Sequence, residues 1–182
     1  SGLVPPGTGV LLNNEMDDFA LKPGTPNAFG VMGYEANAPQ AGKRMLSSMT
    51  PTFMESPEKV AVLGTPGGSR IITMVLLGVL GYDAGLDAQP VAALPRFHHQ
   101  WMPDLIEMET NALSPASQQA LEAMGHKFKV PGNSAQGGRG SSHVWGNLQT
   151  VEWDKAANVL SGGSDPRNPV GAAKVVESAA KP

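Results

Sequence analysis

The sequence predicts an α+β fold, and three observations support that prediction. A short run of β-branched and apolar residues, KVAVLG at 59–64, is bounded by turn residues and is typical of a buried strand. The apolar stretch that follows, at 71–82, is longer than an ordinary strand and favours a helix. Further strand-like runs flank a second helix at 115–124, and this mixed order indicates layered sheets and helices.

Both predicted helices carry terminal signals. In the first, SRIITMVLLGVLGYD, Ser69 is placed to cap the N-terminus and Gly81 to end the helix. In the second, Ser114 is the predicted cap, Pro115 takes the first helical position and Gly125 stops the helix. The remaining strands are predicted within residues 104–110, 126–130, 141–154 and 158–163, with a polar turn at 154–157.

The predicted organisation is a single domain over residues 1–182. A chain of 182 residues that is 41% hydrophobic is long enough to form one core of its own. Residues 22–44 contain four glycines and three prolines without a hydrophobic period, which is the composition of a functional or disordered loop. The tail at 169–182 is predicted to be loosely ordered.

Composition excludes several function classes. The net charge of −3 gives no basic excess for binding nucleic acid, and the longest apolar stretch is shorter than the ~20 residues of a membrane-spanning helix. The absence of cysteine removes disulfides, zinc–thiolate sites and thiol nucleophiles. The segment GTPGGSR fits neither the phosphate-loop nor the dinucleotide-binding pattern, so the sequence predicts no cofactor.

The pair Gly67 and Gly68 lies between the predicted strand and the predicted first helix. Glycine lets a backbone approach a ligand closely, and the N–H groups at a helix N-terminus attract negative charge. The segment is therefore a candidate oxyanion or anion site. A tight strand-to-helix turn without a ligand explains the same residues, and the pattern alone leaves both interpretations open.

An acidic cluster occurs in LLNNEMDDF at residues 11–19. Glu15 and Asp18, three positions apart, share a face if the segment turns helically. Carboxylates so close together repel unless a cation lies among them, and that cation could be a metal or an ammonium group. A solvated acidic turn is the alternative, and the EF-hand spacing for calcium is absent.

Two polar segments have less specific patterns. Ser47 and Ser48 in SSMTPT can donate hydrogen bonds to a carboxylate or to neighbouring backbone. In PRFHHQW, His98 and His99 lack metal-ligand spacing, so a structural role with Trp101 in a buried corner is predicted and a general-base role stays open.

Five segments of the chain together resemble a known family: SGLVPPGTGVLLNNEMDDF, GKRMLSSMTPT, GTPGGSRI, PRFHHQW and GGSDPR. In this order they are similar to the small subunit of bacterial γ-glutamyltranspeptidases, and the similarity runs from the first residue to about Asn168. The resemblance implies the N-terminal nucleophile hydrolase fold, a four-layer αββα sandwich. It also implies a partner, the large subunit cut from the same self-processing precursor, and a periplasmic or secreted location.

The resemblance also implies an activity. In the family, a threonine attacks the γ-glutamyl amide of glutathione-like compounds with its own α-amine as base, and the acyl-enzyme passes the glutamyl group to water, amino acids or peptides. Gly67 and Gly68 match the residues whose N–H groups bind the oxyanion. The threonine opens a TTH-like segment that is not found in these 182 residues, so the chain alone is expected to be inactive.

The remaining family positions form a glutamate pocket. Asp18 matches the carboxylate that binds the substrate α-ammonium, and Glu15 matches its helper. Ser47 and Ser48 match the serines that bind the α-carboxylate, and Phe29 matches the aromatic residue of a lid. The cation of the acidic cluster is then an ammonium group, and no metal is expected. Two alternatives stay open, an acylase of the same fold that acts on glutaryl-type amides and a non-catalytic protein that binds γ-glutamyl compounds.

Overall fold

The computed structural model describes residues 2–27, 31–129 and 145–176. The chain divides into two compact units, Ser1–Ser48 and Met49–Pro182. The single domain over 1–182 therefore stays a prediction, and each unit is described by itself. No helix in the described part of the chain is both long and apolar enough to cross a membrane.

The first unit has few regular elements. Its described residues form two short 3₁₀ helices, Glu15–Asp18 and Glu35–Asn37, and one isolated antiparallel bridge between Pro26 and Met32. Phe19, only 3% exposed, follows the first 3₁₀ helix directly and anchors it. Hydrogen bonds from side chains to backbone, rather than a sheet or a long helix, define this unit.

The second unit contains two sheets and three helices. The strands are β1 (Thr52–Glu55), β2 (Lys59–Gly64), β3 (Phe97–His98), β4 (Ile106–Met108), β5 (Phe128–Lys129), β6 (Gln149–Asp154) and β7 (Val159–Ser164). The helices are α1 (Arg70–Asp83), α2 (Ala88–Ala93) and α3 (Pro115–Ala123). One sheet is antiparallel with the order β1-β2-β6-β7, and the other has the order β3-β4-β5 with β4 parallel to β5.

The core of the second unit lies between α1, α2 and one face of the four-stranded sheet. Alternate residues of β2 point into this core, and the buried positions of α1 recur at helical spacing. The central cluster consists of Leu63, Ile71, Val75, Val91 and Leu148. The opposite face of the sheet is apolar yet exposed, since Phe53 is 77% exposed and Val151, on the same face, is 51% exposed.

The predicted first helix is confirmed and begins directly after Ser69 as predicted, but Ser69 makes no side-chain cap and the predicted end at Gly81 is wrong. Ser69 is at the N-cap position without a side-chain capping bond, because its hydroxyl donates to Gln100 instead. Gly81 lies inside α1, which continues to Asp83. A Cβ at Gly81 would lie 2.7 Å from Cδ1 of Leu94, so this glycine permits close packing rather than ending the helix.

The other predicted elements are largely confirmed. β2 has the predicted bounds, and in α3 the Ser114 hydroxyl accepts a hydrogen bond from the N–H of Ser117 at 3.0 Å. Gly125 follows α3 with a φ of 97°, as a C-terminal stop requires. Strands β4 to β6 lie within the predicted segments and β7 ends one residue beyond its segment, at Ser164, whereas the short elements β1, α2 and β3 were not predicted. Described residues of the tail at 171–176 form no helix or strand.

Candidate active site

The turn between β2 and α1 presents the two glycines. Gly67 has a φ of 149° and Gly68 a φ of 59°, values that side chains disfavour. Their carbonyls accept hydrogen bonds from the N–H groups of Arg70 at 3.2 Å and Ile71 at 3.1 Å. Within the described residues, the N–H groups of Gly67 and Gly68 donate to no protein acceptor, and both residues are partly exposed. Two amide donors beside a helix N-terminus can therefore bind an anion.

The segment before β6 supports this turn from one side. The N–H of Asn147 donates to the Thr65 hydroxyl at 2.9 Å, which joins the two segments. A Cβ at Gly146 would overlap the Pro66 carbonyl and the Thr65 hydroxyl, so only glycine permits this approach. The position of the Gly67–Gly68 turn consequently depends on residues 145–148.

A half-buried side-chain network supports the turn from a second side. Gln100 donates through its Nε2 to the Met102 carbonyl at 2.8 Å, so its Oε1 accepts from the Ser69 hydroxyl at 2.5 Å and faces Nε2 of His98 at 2.8 Å. Nε2 of His98 must therefore carry the proton, and Nδ1 accepts from the Thr73 hydroxyl at 2.7 Å. Burial lowers the pKa of His98, which keeps the ring neutral. The network joins the first turn of α1 to β3.

The other residues of the histidine motif are more exposed. Nε2 of His99 contacts the exposed Asp104 carboxylate at 2.8 Å. Trp101 is 67% exposed, so the predicted buried corner that includes it is wrong. The chain leaves β3 after His98 and reaches the surface at Trp101, which explains the difference. The structural role predicted for His98 agrees with its two ring contacts.

An ion network underlies the same region, and the sequence analysis did not find it. Arg96, whose side chain is 1% exposed, donates to Oδ2 of Asp165 at 2.7 Å. Arg167 contacts Oδ1 of Asp165 at 3.0 Å and both carboxylate oxygens of Glu109. Glu109 in turn accepts from the backbone N–H of Arg96 at 2.8 Å. These charges come from PRFHHQW, from GGSDPR and from the end of β4, so no single motif shows the network.

This network reaches the segment that supports the glycine turn. Arg96 donates to the carbonyl of Trp145, and Oδ2 of Asp165 accepts from the N–H of Leu148 at 2.8 Å. These two contacts fix both ends of the segment that contains Gly146. The buried charges thus stabilise the backbone next to the Gly67–Gly68 turn.

The acidic cluster lies on the first 3₁₀ helix of the first unit. Asp18 and Glu15 are half-buried, and burial, followed by the charges of Glu15 and Asp17, raises the pKa of the Asp18 carboxyl. No lysine or arginine of the described residues forms an ion pair with these carboxylates. Where the chain is described, no group of three His, Asp or Glu side chains could hold a metal ion. The cluster has an uncompensated negative charge that a bound cation would neutralise.

The serine segment is joined to the acidic cluster within the same unit. Nδ2 of Asn37 donates to the Asp18 carbonyl at 2.7 Å, and Oδ1 of Asn37 accepts from the N–H of Leu46 at 2.9 Å. Ser47 and Ser48 follow directly along the chain. Phe29, the predicted lid residue, lies outside the described residues.

Comparison with known proteins identifies the family. The family model described as Gamma-glutamyltranspeptidase matches residues 1–175. The chain belongs to the γ-glutamyltranspeptidase family. The glutathione hydrolase proenzyme of Escherichia coli (strain K12) is 43% identical over 170 residues, which cover 92% of this chain and 27% of that protein. The glutathione hydrolase proenzyme of Pseudomonas aeruginosa is also 43% identical, over 171 residues that cover 92% of this chain and 28% of that protein.

Solved structures of γ-glutamyltranspeptidases confirm the fold class. The W525D mutant from Pseudomonas nitroreducens matches with a TM-score of 0.73 and 41% identity, over 98% of this chain and 87% of that chain. The T380A mutant from Helicobacter pylori matches with a TM-score of 0.74 and 38% identity, over 92% and 87% of the two chains. The chain has the N-terminal nucleophile hydrolase fold of this α+β class. It spans about a quarter of the length of the two glutathione hydrolase proenzymes named above, 27% and 28%.

Proposed function

We propose that this chain is the small-subunit part of an enzyme that cleaves the γ-glutamyl amide of glutathione-like compounds. The γ-glutamyl group forms an acyl-enzyme and then passes to water, an amino acid or a peptide. The observation that carries this proposal is the turn of two glycines with available N–H groups, in a member of the γ-glutamyltranspeptidase family. The relatives named glutathione hydrolase proenzymes support the substrate class.

The first unit binds the glutamyl end of the substrate. The Asp18 carboxylate, assisted by Glu15, pairs with the substrate α-ammonium, and the hydroxyls of Ser47 and Ser48 donate to the α-carboxylate. An ammonium group suits this position because Asp18 faces two neighbouring negative charges, which a bound cation offsets. A carboxylate at one end of the pocket and hydroxyl donors at the other select an amino acid over a simple acid.

The second unit stabilises the charge that develops in the reaction. The nucleophile implied by the family resemblance is a threonine hydroxyl, whose own α-amine takes the proton as the C–O bond forms. The carbonyl oxygen of the γ-amide becomes an oxyanion, which accepts hydrogen bonds from the N–H groups of Gly67 and Gly68. Collapse of this intermediate breaks the C–N bond, and the leaving amine takes the proton.

The large subunit is the proposed partner. The outer face of the four-stranded sheet exposes Phe53, Val151 and Trp153, and monomeric proteins rarely leave such an apolar face in water. A second sheet packed on this face completes the sandwich that the family resemblance implies. The proposed location, also drawn from the resemblance, is periplasmic or secreted.

The substitution Asp18→Asn tests the ammonium assignment in the processed two-subunit enzyme. We expect KM for a γ-glutamyl anilide to rise about 30-fold or more, because removing one member of a desolvated charge pair costs about 2 kcal/mol or more. The melting temperature is expected to stay equal or to rise. The pKa of Asp18 is raised in the folded chain, so its charged form destabilises the fold at neutral pH and the neutral amide removes that cost.

Asp17→Asn is the matched control, since it removes a neighbouring charge from an exposed side chain of the same 3₁₀ helix. We expect its KM to stay within about 3-fold of the wild type, in line with weak exposed charge interactions. An unchanged KM in Asp18→Asn, or equal increases in the two variants, would contradict the ammonium assignment.

A further inference from the structure

We infer that Asn37 is a positioning residue that sets the spacing between the two halves of the glutamate pocket. This inference rests on the proposed function, because that function assigns Asp18 to the ammonium group and Ser47 and Ser48 to the carboxylate. No sequence motif indicated a role for Asn37. It is the last residue of the second 3₁₀ helix and lies in the segment 22–44, which has no hydrophobic period.

The contacts of Asn37 join two segments that are distant in sequence. Its Nδ2 donates to the carbonyl of Asp18 at 2.7 Å, a residue 19 positions earlier. Its Oδ1 accepts from the N–H of Leu46 at 2.9 Å, a residue 9 positions later. One planar amide therefore binds the backbone of the ammonium-binding residue and the backbone that leads directly into Ser47.

The backbone of Asn37 is held in place as well. Its carbonyl accepts from the N–H of Ala20 at 3.0 Å, and its N–H donates to the carbonyl of Tyr34 at 2.8 Å. Ala20 and the adjacent Phe19 are buried, so this contact ties Asn37 to the best-packed part of the unit. Because Asn37 is fixed in this way, its side chain can hold the backbones of Asp18 and Leu46 at a constant distance from each other.

The chemistry of the ligand explains why such a link matters. The α-ammonium and α-carboxylate of an amino acid are attached to one carbon atom, so their separation is fixed. A pocket that binds both groups needs the same fixed separation between its acidic and hydroxyl-bearing parts. The first unit has no long helix or sheet among its described residues to provide that separation, and the Asn37 amide provides it.

The test compares Asn37→Ala with Asn27→Ala in the processed two-subunit enzyme. Asn27 is a matched control because its side chain also donates to a backbone carbonyl, that of Asp17 at 3.1 Å, and accepts from a backbone N–H, that of Val31 at 2.9 Å. Neither of these two contacts involves the serine segment. Active sites are counted with L-DON, the compound complexed with the Pseudomonas nitroreducens relative.

For Asn37→Ala we expect KM to rise about 10-fold, with kcat per active site within about 3-fold of the wild type, since substrate binding is lost and the reacting groups are untouched. Asn27→Ala is expected to keep KM within about 3-fold. In the Asp18→Asn background, Asn37→Ala is expected to raise KM by less than about 10-fold, because the two residues act on the same bound group. A merely structural role would lower the number of active sites and leave KM unchanged.

Calorimetric titration with L-glutamate makes the same comparison without turnover. Equal glutamate affinity in the wild type and in Asn37→Ala overturns the inference, as does an unchanged KM. A wild-type enzyme that binds glutamate but cleaves no γ-glutamyl amide refutes the proposed function, and a weaker affinity in Asn37→Ala would then still support the positioning role.

Discussion

The substitution Gly67→Ala is expected to lower kcat by about 100-fold or more, with KM for the γ-glutamyl substrate little changed, as for loss of an oxyanion donor. A side chain is strained at the Gly67 φ of 149°, and its Cβ would lie 2.5 Å from Cε of Met74. Relaxation of the strained backbone at this φ moves the turn and misdirects the N–H groups of Gly67 and Gly68. The proposed glutamate pocket lies on other segments of the chain, so we expect ground-state binding to be retained. Steady-state kinetics per titrated active site measure both constants.

Gly85→Ala is the control for this experiment. Gly85 also has a positive φ, 85°, but a Cβ there would meet no atom within 4 Å. We expect this variant to lose about 1 kcal/mol of stability from backbone strain and to keep kcat within about 3-fold. Equal kcat values in Gly67→Ala and the wild type would show that the glycine turn does not bind the oxyanion.

The substitution Asp165→Asn is expected to destabilise the protein by about 3–5 kcal/mol, the cost of breaking a buried ion pair by neutralising one partner. The side chains of Arg96 and Asp165 are 1% and 0% exposed, so water cannot replace the lost charge. Asp165 also accepts the N–H of Leu148, next to the segment that supports the glycine turn. Urea denaturation of the assembled protein measures the loss.

The pH dependence of the free energy of unfolding gives a second measurement on the same variant. Burial raises the pKa of the Asp165 carboxyl, but hydrogen bonds from the N–H groups of Arg167 and Leu148 and the charge of Arg96 outweigh burial and hold the pKa below its ordinary value. The folded chain therefore binds this proton less readily than the unfolded chain. The stabilisation is present above the unfolded pKa of about 3.9 and is lost as the pH falls through the folded value. Asp165→Asn removes this acid-dependent part of the stability.

Asp104→Asn is the matched control, because the Asp104 side chain is 84% exposed and pairs with His99 at the surface. Exposed ion pairs contribute little to stability, so this variant should denature close to the wild type. Similar urea midpoints for the Asp165 and Asp104 variants would show that the buried network contributes no special stability.

Local signals in the sequence account for much of the fold. β2 and α3 were predicted well because one has a β-branched run between turn residues and the other has Ser114 and Gly125 at its ends. Gly81 was misread because a glycine that allows close packing looks the same in sequence as a glycine that ends a helix. α2 is only six residues long, with a proline inside it, and so carries little helical period.

The supporting residues of the candidate site could not be predicted, because their partners are distant in the sequence. Arg96 and Asp165 are 69 positions apart, and the Asn37 amide spans from Asp18 to Leu46. Family resemblance indicated the residues that are proposed to face the ligand, but the residues that hold them are defined only once the chain is folded. Polar side chains that bind backbone groups leave no periodic pattern.

The most direct test of the central claim compares two substrates of the processed enzyme, a γ-glutamyl anilide and the matching glutaryl anilide, which lacks the α-ammonium group. The proposed pocket predicts a kcat/KM at least about 100-fold higher for the γ-glutamyl compound, since the glutaryl compound leaves the half-buried Asp18 carboxylate unpaired. This preference should largely disappear in Asp18→Asn. A glutaryl anilide cleaved as well as the γ-glutamyl anilide, or better, would contradict the account and indicate an acylase for dicarboxylic amides.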